Sequence, residues 1–293
     1  MTPLYILYRG PLVSCNYSCH YCPFAKRTMN RQELLHDAAC LNRFVAWLSK
    51  QKQEISLLFT PWGESLIHRH YQEAIASISH LPHVTKVAIQ TNLSCTLNWI
   101  ERCCISKIGL WATWHPTECE AQCFLSKCEM LHTRGVSFSV GMVGKREHIS
   151  AIQIMRKQLP EDVYLWINTY RPDRELYTKE ELTVIQTIDP YFHYNRSYRT
   201  YGKRCFAGHT TFTVDGDGTM RRCHFVSEPI GNVYHRDWQK SLIHHLCPAQ
   251  TCHCHLGYVN LEALSLKKLY MASLPERIPA EWPQTQIEFL KEK

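Results

Sequence analysis

Cys15, Cys19 and Cys22 follow a C-x3-C-x2-C spacing directly after an apolar run, Leu4–Tyr8. A loop with thiolates at these offsets can turn all three toward one centre. Three thiolates suit a cubane iron–sulfur cluster that keeps one iron open, because a closed [4Fe–4S] site takes four. Other chemistries use the same residues. Cys19-His-Tyr-Cys22 has the C-x-x-C spacing of a thioredoxin-like redox pair, a reading that leaves Cys15 unexplained. Structural zinc takes four ligands, and only His20 lies nearby in sequence to complete the set. Inert buried thiols are the plainest alternative.

Cysteines return near the end as Cys205, Cys223, Cys247, Cys252 and Cys254. Between the first two, Thr211-Phe-Thr-Val214 alternates, Asp215-Gly-Asp-Gly218 supplies a turn, and Met220 to Phe225 reads as the return strand. Such a hairpin brings Cys205 and Cys223 together. Four ligands close a cube and five cysteines are on offer. The expected set is Cys205, Cys223, Cys252 and Cys254, with Cys247 as the substitute. Thr251-Cys-His-Cys-His255 keeps zinc as the alternative. Asp215 does not open a calcium loop, since position twelve would be Val226 rather than glutamate. Cys40, Cys95, Cys103, Cys104, Cys119, Cys123 and Cys128 read as small core residues.

The elements that must position these groups alternate between β-like runs and amphipathic stretches, the pattern of parallel β/α units. Strands are expected at Leu4–Tyr8, Ile55–Phe59, Lys86–Gln90, Ile108–Thr113, Ser137–Met142 and Val163–Asn168. Leu41, Phe44, Val45 and Leu48 make one helical stripe, and Ile149, Ile152, Met155 and Leu159 another. Thr117-x-x-Glu120 and Thr178-x-x-Glu181 read as capping boxes of the fourth and sixth helices. Cys103 and Cys104 are expected to end the helix before the fourth strand. In β/α barrels chemistry sits at the carboxyl ends of strands, where Thr60-Pro-Trp-Gly-Glu-Ser65, Gln90-Thr-Asn92, Thr113, Ser139 and Asn168 fall.

The cysteine spacing, its place after the first strand and the aromatic Tyr21 resemble the radical S-adenosylmethionine (SAM) enzymes. That resemblance implies an open six-unit (β/α)6 partial TIM barrel. It also implies a [4Fe–4S] cluster whose open iron is chelated by the amino and carboxylate groups of SAM. The reduced cluster of such enzymes cleaves SAM to a 5′-deoxyadenosyl radical that abstracts hydrogen from a substrate. Gly63 and Glu64 match the superfamily's glycine-glycine-glutamate-proline motif, while Trp62 and Ser65 depart from it. Gln90-Thr-Asn92 is similar to a threonine-asparagine-glycine stretch, with Leu93 replacing the glycine. Tyr21, Gly63, Glu64, Asn92, Thr113, Ser139 and Asn168 are therefore the candidates for contact with SAM.

Cys205, Gly218 and Cys223 fit the opening of the SPASM extension of that superfamily, and the shortened later half looks like its reduced twitch form with one auxiliary cluster. The implied organisation is a barrel at 1–190, a cysteine-rich hairpin and helix extension at 191–265, and a tail at 266–293 without evident chemistry. Many relatives with such tails act on ribosomal peptides, so a peptide or protein substrate is expected, with a flavodoxin or ferredoxin as electron donor. Tyr8-Arg-Gly-Pro11 and Cys22-Pro-Phe-Ala-Lys26 are similar to a small bacterial subfamily. A nucleic-acid substrate is the second enzyme reading, because Tyr191 to Arg204 interleaves aromatic and basic residues. A non-catalytic zinc or iron–sulfur binding protein is the third.

A chain of 293 residues holds one large α/β domain or a barrel with an appendage. Hydrophobic content of 45% with 20% charged residues excludes a disordered chain. With no visible signal peptide, no membrane-length apolar run and 15 cysteines, a reducing cytoplasmic setting is expected. The net charge of +7 reads as a solvated surface. No acid/base dyad stands out; Glu64, His115 and Asp173 are near strand ends. Lys26, Arg27, Lys145, Arg146 and Arg171 are cations placed to line the mouth, with solvated loop charge as the default.

Overall fold

Short apolar runs that can bury both faces become a parallel sheet. The computed structural model describes residues 3–24, 27–171 and 177–283; Lys26 and Asp173 lie outside them. Six parallel strands lie side by side in chain order: β1 (Leu4–Tyr8), β2 (Ile55–Phe59), β3 (Val84–Thr91), β4 (Ile108–Thr113), β5 (Ser137–Gly144) and β6 (Leu165–Thr169). Five crossovers or flanking segments carry helices, α1 (Arg31–Leu48), α2 (Arg69–Ser79), α3 (Ala121–Thr133), α4 (Ile149–Gln158) and α5 (Lys179–Ile188). The connection from β3 to β4 has two 3-10 turns instead, Asn98–Arg102 and Ile105–Lys107, and Cys103 and Cys104 sit between them rather than ending an α-helix.

Side-chain alternation divides the interior. Ile6, Tyr8, Leu57, Phe59, Ile89 and Leu110 face the helices, where Leu41, Phe44 and Leu48 are fully buried at helical spacing. Ile152, Met155 and Leu159 form the corresponding stripe around α4. Tyr5, Leu7, Leu58, Ala88, Trp111 and Trp166 face the other way and pack against Tyr258, Leu266, Tyr270, Leu274 and Trp282. The inner face of the sheet is thus filled by the C-terminal segment. Glu276 is fully buried there, paired with Lys86 at 2.7 Å and accepting from Ser137 Oγ at 3.0 Å. Arg277 lies over the Trp166 ring at 4.4 Å and donates to Asn168 Oδ1 at 2.9 Å.

The segment after 190 continues the main sheet. β7 (Tyr198–Arg199) is followed by β8 (Thr211–Val214), β9 (Thr219–Arg221) and β10 (Pro229–Asn232). β8 pairs in parallel with β1, and β9 and β10 extend the sheet antiparallel beyond it. The return strand stops at Arg221 instead of Phe225, because the chain turns at Cys223, whose carbonyl accepts from Val226 N at 3.1 Å. β11 (Thr251–Cys252) pairs antiparallel with β7, ahead of α6 (His255–Tyr258) and α7 (Leu266–Tyr270).

Thr178 and Glu181 cap α5 reciprocally, as expected, and Asn30 with Glu33 does the same for α1. The Thr117 box does not form. The chain first makes a turn in which the His115 carbonyl accepts from the amides of Glu118 and Cys119, so α3 starts late with Glu120 as its N-cap. Of the middle cysteines, Cys128 and Cys95 are core residues, whereas Cys123 is exposed on the outer face of α3. Among the described residues no helix is long and apolar enough to cross a membrane.

Candidate functional site

The loop after β1 is tied to the loop after β2 by its backbone. Trp62 N donates to Leu12 O at 3.1 Å and Glu64 N to Ser14 O at 3.0 Å. Between those bonds Gly63 packs so closely on Ser14 that an added Cβ would lie 1.8 Å from its carbonyl oxygen. Glycine is required here by the approach of the cysteine loop. A further turn closes with Cys22 N donating to Cys19 O at 3.1 Å.

Glu64 ties the loop after β2 to the end of β3. Its Oε1 accepts from Leu66 N at 3.0 Å and Thr91 Oγ1 at 2.9 Å, and its Oε2 from Asn92 N at 2.5 Å. Burial outweighs these donors and pushes the carboxyl up to about 7. Asn92, so fixed, points Nδ2 at Cys15 Sγ, 3.7 Å away, and at Asn16 Oδ1, 3.1 Å away. Tyr17 N also donates to Cys15 Sγ at 3.4 Å. Donors directed at a sulfur favour its thiolate form, the form that binds metal. Without a metal, burial raises the Cys15 thiol and pushes Cys19 up to about 12.

Tyr21 stacks on His115 with its hydroxyl 3.1 Å from Nδ1, and burial depresses that imidazole to about 4. Lys145 is buried beside it, donating to His20 Nε2 at 2.9 Å and to Glu147 Oε1 at 2.5 Å. Arg27 pairs with Glu33 and Arg146 with Glu181, both away from the cavity.

All three N-terminal cysteines line one cavity of ≈ 800 Å³ at the carboxyl ends of the strands. Tyr21, Gly63, Glu64, Asn92, Thr113 and Asn168 line it too. Ser139 does not: it is fully buried, donating to Glu276 O at 2.5 Å and accepting from Trp166 Nε1 at 3.0 Å, because the C-terminal segment fills the space it faces. The cavity also takes residues outside the candidates for SAM contact, including Arg9, Trp111, Trp166, Arg196, His224 and His255. The signals for Arg9 were its place directly after the first strand and its part in the Tyr8-Arg-Gly-Pro11 stretch.

A second, smaller cavity of ≈ 20 Å³ is lined by Cys205, Cys223, Cys247 and Cys252. Cys247 therefore stands where Cys254 was expected. β11 ends at Cys252 and α6 starts at His255, so Cys254 occupies the corner between them and lines the large cavity. Gly257 leaves room for Cys252, since an added Cβ would lie 2.6 Å from its sulfur. Among the described residues no three Cys, His, Asp or Glu side chains are grouped tightly enough for a single metal ion. A cubane asks for a wider spacing, because each thiolate binds a different iron.

No family model and no curated protein matches the sequence. Solved structures do match in fold. Native anSMEcpe with bound AdoMet and the peptide Kp18Cys is similar over 82% of this chain and 80% of that one, with 16% identity and a TM-score of 0.53. Native anSMEcpe with AdoMet and Cp18Cys is similar over 99% of each chain, with 15% identity and the same TM-score of 0.53. The chain shares the α/β fold of these AdoMet-bound structures.

Proposed function

We propose that the chain is a radical SAM enzyme in which Cys15, Cys19 and Cys22 hold a [4Fe–4S] cluster and SAM lies beside it in the large cavity. One observation carries this reading: three cysteines meet Gly63, Glu64 and Asn92 in a single cavity at the carboxyl ends of parallel strands. Its ≈ 800 Å³ suits a cofactor together with part of a substrate. When bound, cluster and SAM supply a 5′-deoxyadenosyl radical for hydrogen abstraction. The chain's own residues hold and shield them. Glu64 fixes Asn92, which with Tyr17 N directs donors at Cys15, while Tyr21, Trp111 and Trp166 give the cavity rigid apolar walls. Thr113 and Asn168 stand on the rim as polar contacts for SAM.

We read the six parallel strands as an open (β/α)6 partial barrel, with residues 191–265 as a twitch-like extension and the remainder as a packed tail. A peptide or protein substrate is supported by the shared fold with a peptide-bound structure. In the extension, Cys205, Cys223, Cys247 and Cys252 are proposed to hold an auxiliary [4Fe–4S] cluster. The small size of that cavity keeps zinc as the alternative. Iron and zinc counts separate the two. A flavodoxin or ferredoxin would deliver the electron in a reducing cytoplasm.

The test is SAM cleavage by anaerobically reconstituted protein with a reductant. Formation of 5′-deoxyadenosine that is lost in Cys19→Ala supports the reading. Undiminished formation by the variant, or none by the wild type, sinks it.

A further inference from the structure

One wall of the large cavity carries donors that neither cluster nor SAM accounts for. Arg9, just past the end of β1, is only 7% exposed. Its Nη1 donates to Thr60 O at 2.7 Å, its plane lies 4.4 Å over the Trp62 ring, and its Nε has no partner. His255 is 5% exposed, with Nε2 unpartnered, and both ring nitrogens of His224 are unpartnered as well. Cys254 lies among these groups, in the field of Arg9, Arg171 and Arg277. Arg9, Arg171, Arg196, His224 and His255 all line the cavity. Glu64 is the one carboxylate among the described lining residues, and its oxygens already accept three hydrogen bonds.

Buried cations and unmet donors are costly unless an anion completes them. An apolar substrate would leave the donors unpaired, and a cation would be repelled. In the radical SAM reading, on which this inference rests, the SAM carboxylate and amine bind the cluster, and the sulfonium is itself positive. We propose that Arg9, His224 and His255, with Arg171 beside them, form a seat for an oxyanion of the substrate, a carboxylate or a phosphate group. Neutral imidazoles suffice, since each carries one N–H to donate.

Calorimetric titration of the reconstituted protein, with and without SAM, tests this with glutarate, inorganic phosphate and the neutral glutaramide. Saturable binding of either anion in the presence of SAM, without glutaramide binding, is expected; the tighter anion identifies the group. Arg9→Gln should weaken that binding about tenfold or more, the loss of a charge-assisted hydrogen bond. Arg9→Lys should retain part of it, and Arg69→Gln, at a surface pair with Glu73, all of it. Glutaramide binding as well as glutarate, no saturation by either anion, or displacement of the anion by SAM would overturn the proposal. The wild-type titrations decide even where a variant fails to fold. SAM cleavage measured in parallel separates the two claims. Anion binding without cleavage keeps the seat and removes the enzyme reading, and cleavage without anion binding does the reverse.

Discussion

Gly63→Ala is the substitution whose effect follows most directly from the geometry. The added Cβ would sit 1.8 Å from Ser14 O and 2.9 Å from Ser14 N, both backbone atoms, where ordinary contact begins at 3.4 Å. Relief requires the two loops to part by roughly 1.5 Å, more than packed backbone absorbs without loss. That separation breaks the bonds from Trp62 N to Leu12 O and from Glu64 N to Ser14 O. Two backbone hydrogen bonds at about 1 kcal/mol each, with residual overpacking of about 1 kcal/mol, give a cost of about 3 kcal/mol. Urea unfolding of the metal-free protein measures it. The same movement carries Cys15 away from Asn92, so anaerobic reconstitution should lose the N-terminal cluster, about half the iron of a two-cluster protein, while iron in the extension remains. Wild-type stability together with wild-type iron content would refute the reasoning.

Glu64 makes stability depend on pH. Its folded-state carboxyl is raised from 4.5 to about 7 by burial, so the folded chain holds a proton that the unfolded chain has released. Stability should therefore fall as pH rises from about 4.5 to about 7, by about 3 kcal/mol, and level off above. Glu64→Gln should abolish this part of the slope, and identical wild-type and variant profiles would count against it. Cys247→Ser should deplete the metal of the extension while Cys254→Ser leaves it in place; metal analysis with the reverse result would return Cys254 to the ligand set. Lys86→Met strands the buried Glu276 carboxylate and should cost about 3 kcal/mol in denaturant unfolding. An unchanged midpoint would show that the C-terminal segment does not depend on that pair.

The strands were legible because fully buried parallel strands are short apolar runs with clear ends. β1, β2 and β4 match their expected limits residue for residue. Asn92, Thr113 and Asn168 could be assigned to the rim for the same reason, since strand ends define it. What the chain does far along its length was not legible. Ser139 reads as a rim residue until the fold brings Glu276 against it from a segment with no local signal. The five C-terminal cysteines were visible, but their division was not: the corner at Cys254 depends on where β11 stops and α6 starts. Arg9 and His255 stood in the sequence only within Tyr8-Arg-Gly-Pro11 and the zinc-like Thr251-Cys-His-Cys-His255, because an unmet donor is a property of the folded cavity and leaves no mark in sequence.

Electron paramagnetic resonance of the reduced, reconstituted protein, recorded before and after adding SAM, addresses the central claim most directly. A [4Fe–4S] signal whose g values shift on SAM addition, and which Cys19→Ala removes, is the predicted result: it requires an open iron held by the N-terminal cysteines with SAM beside it. A cluster signal indifferent to SAM, or one that survives in Cys19→Ala with its SAM response intact, would contradict the account.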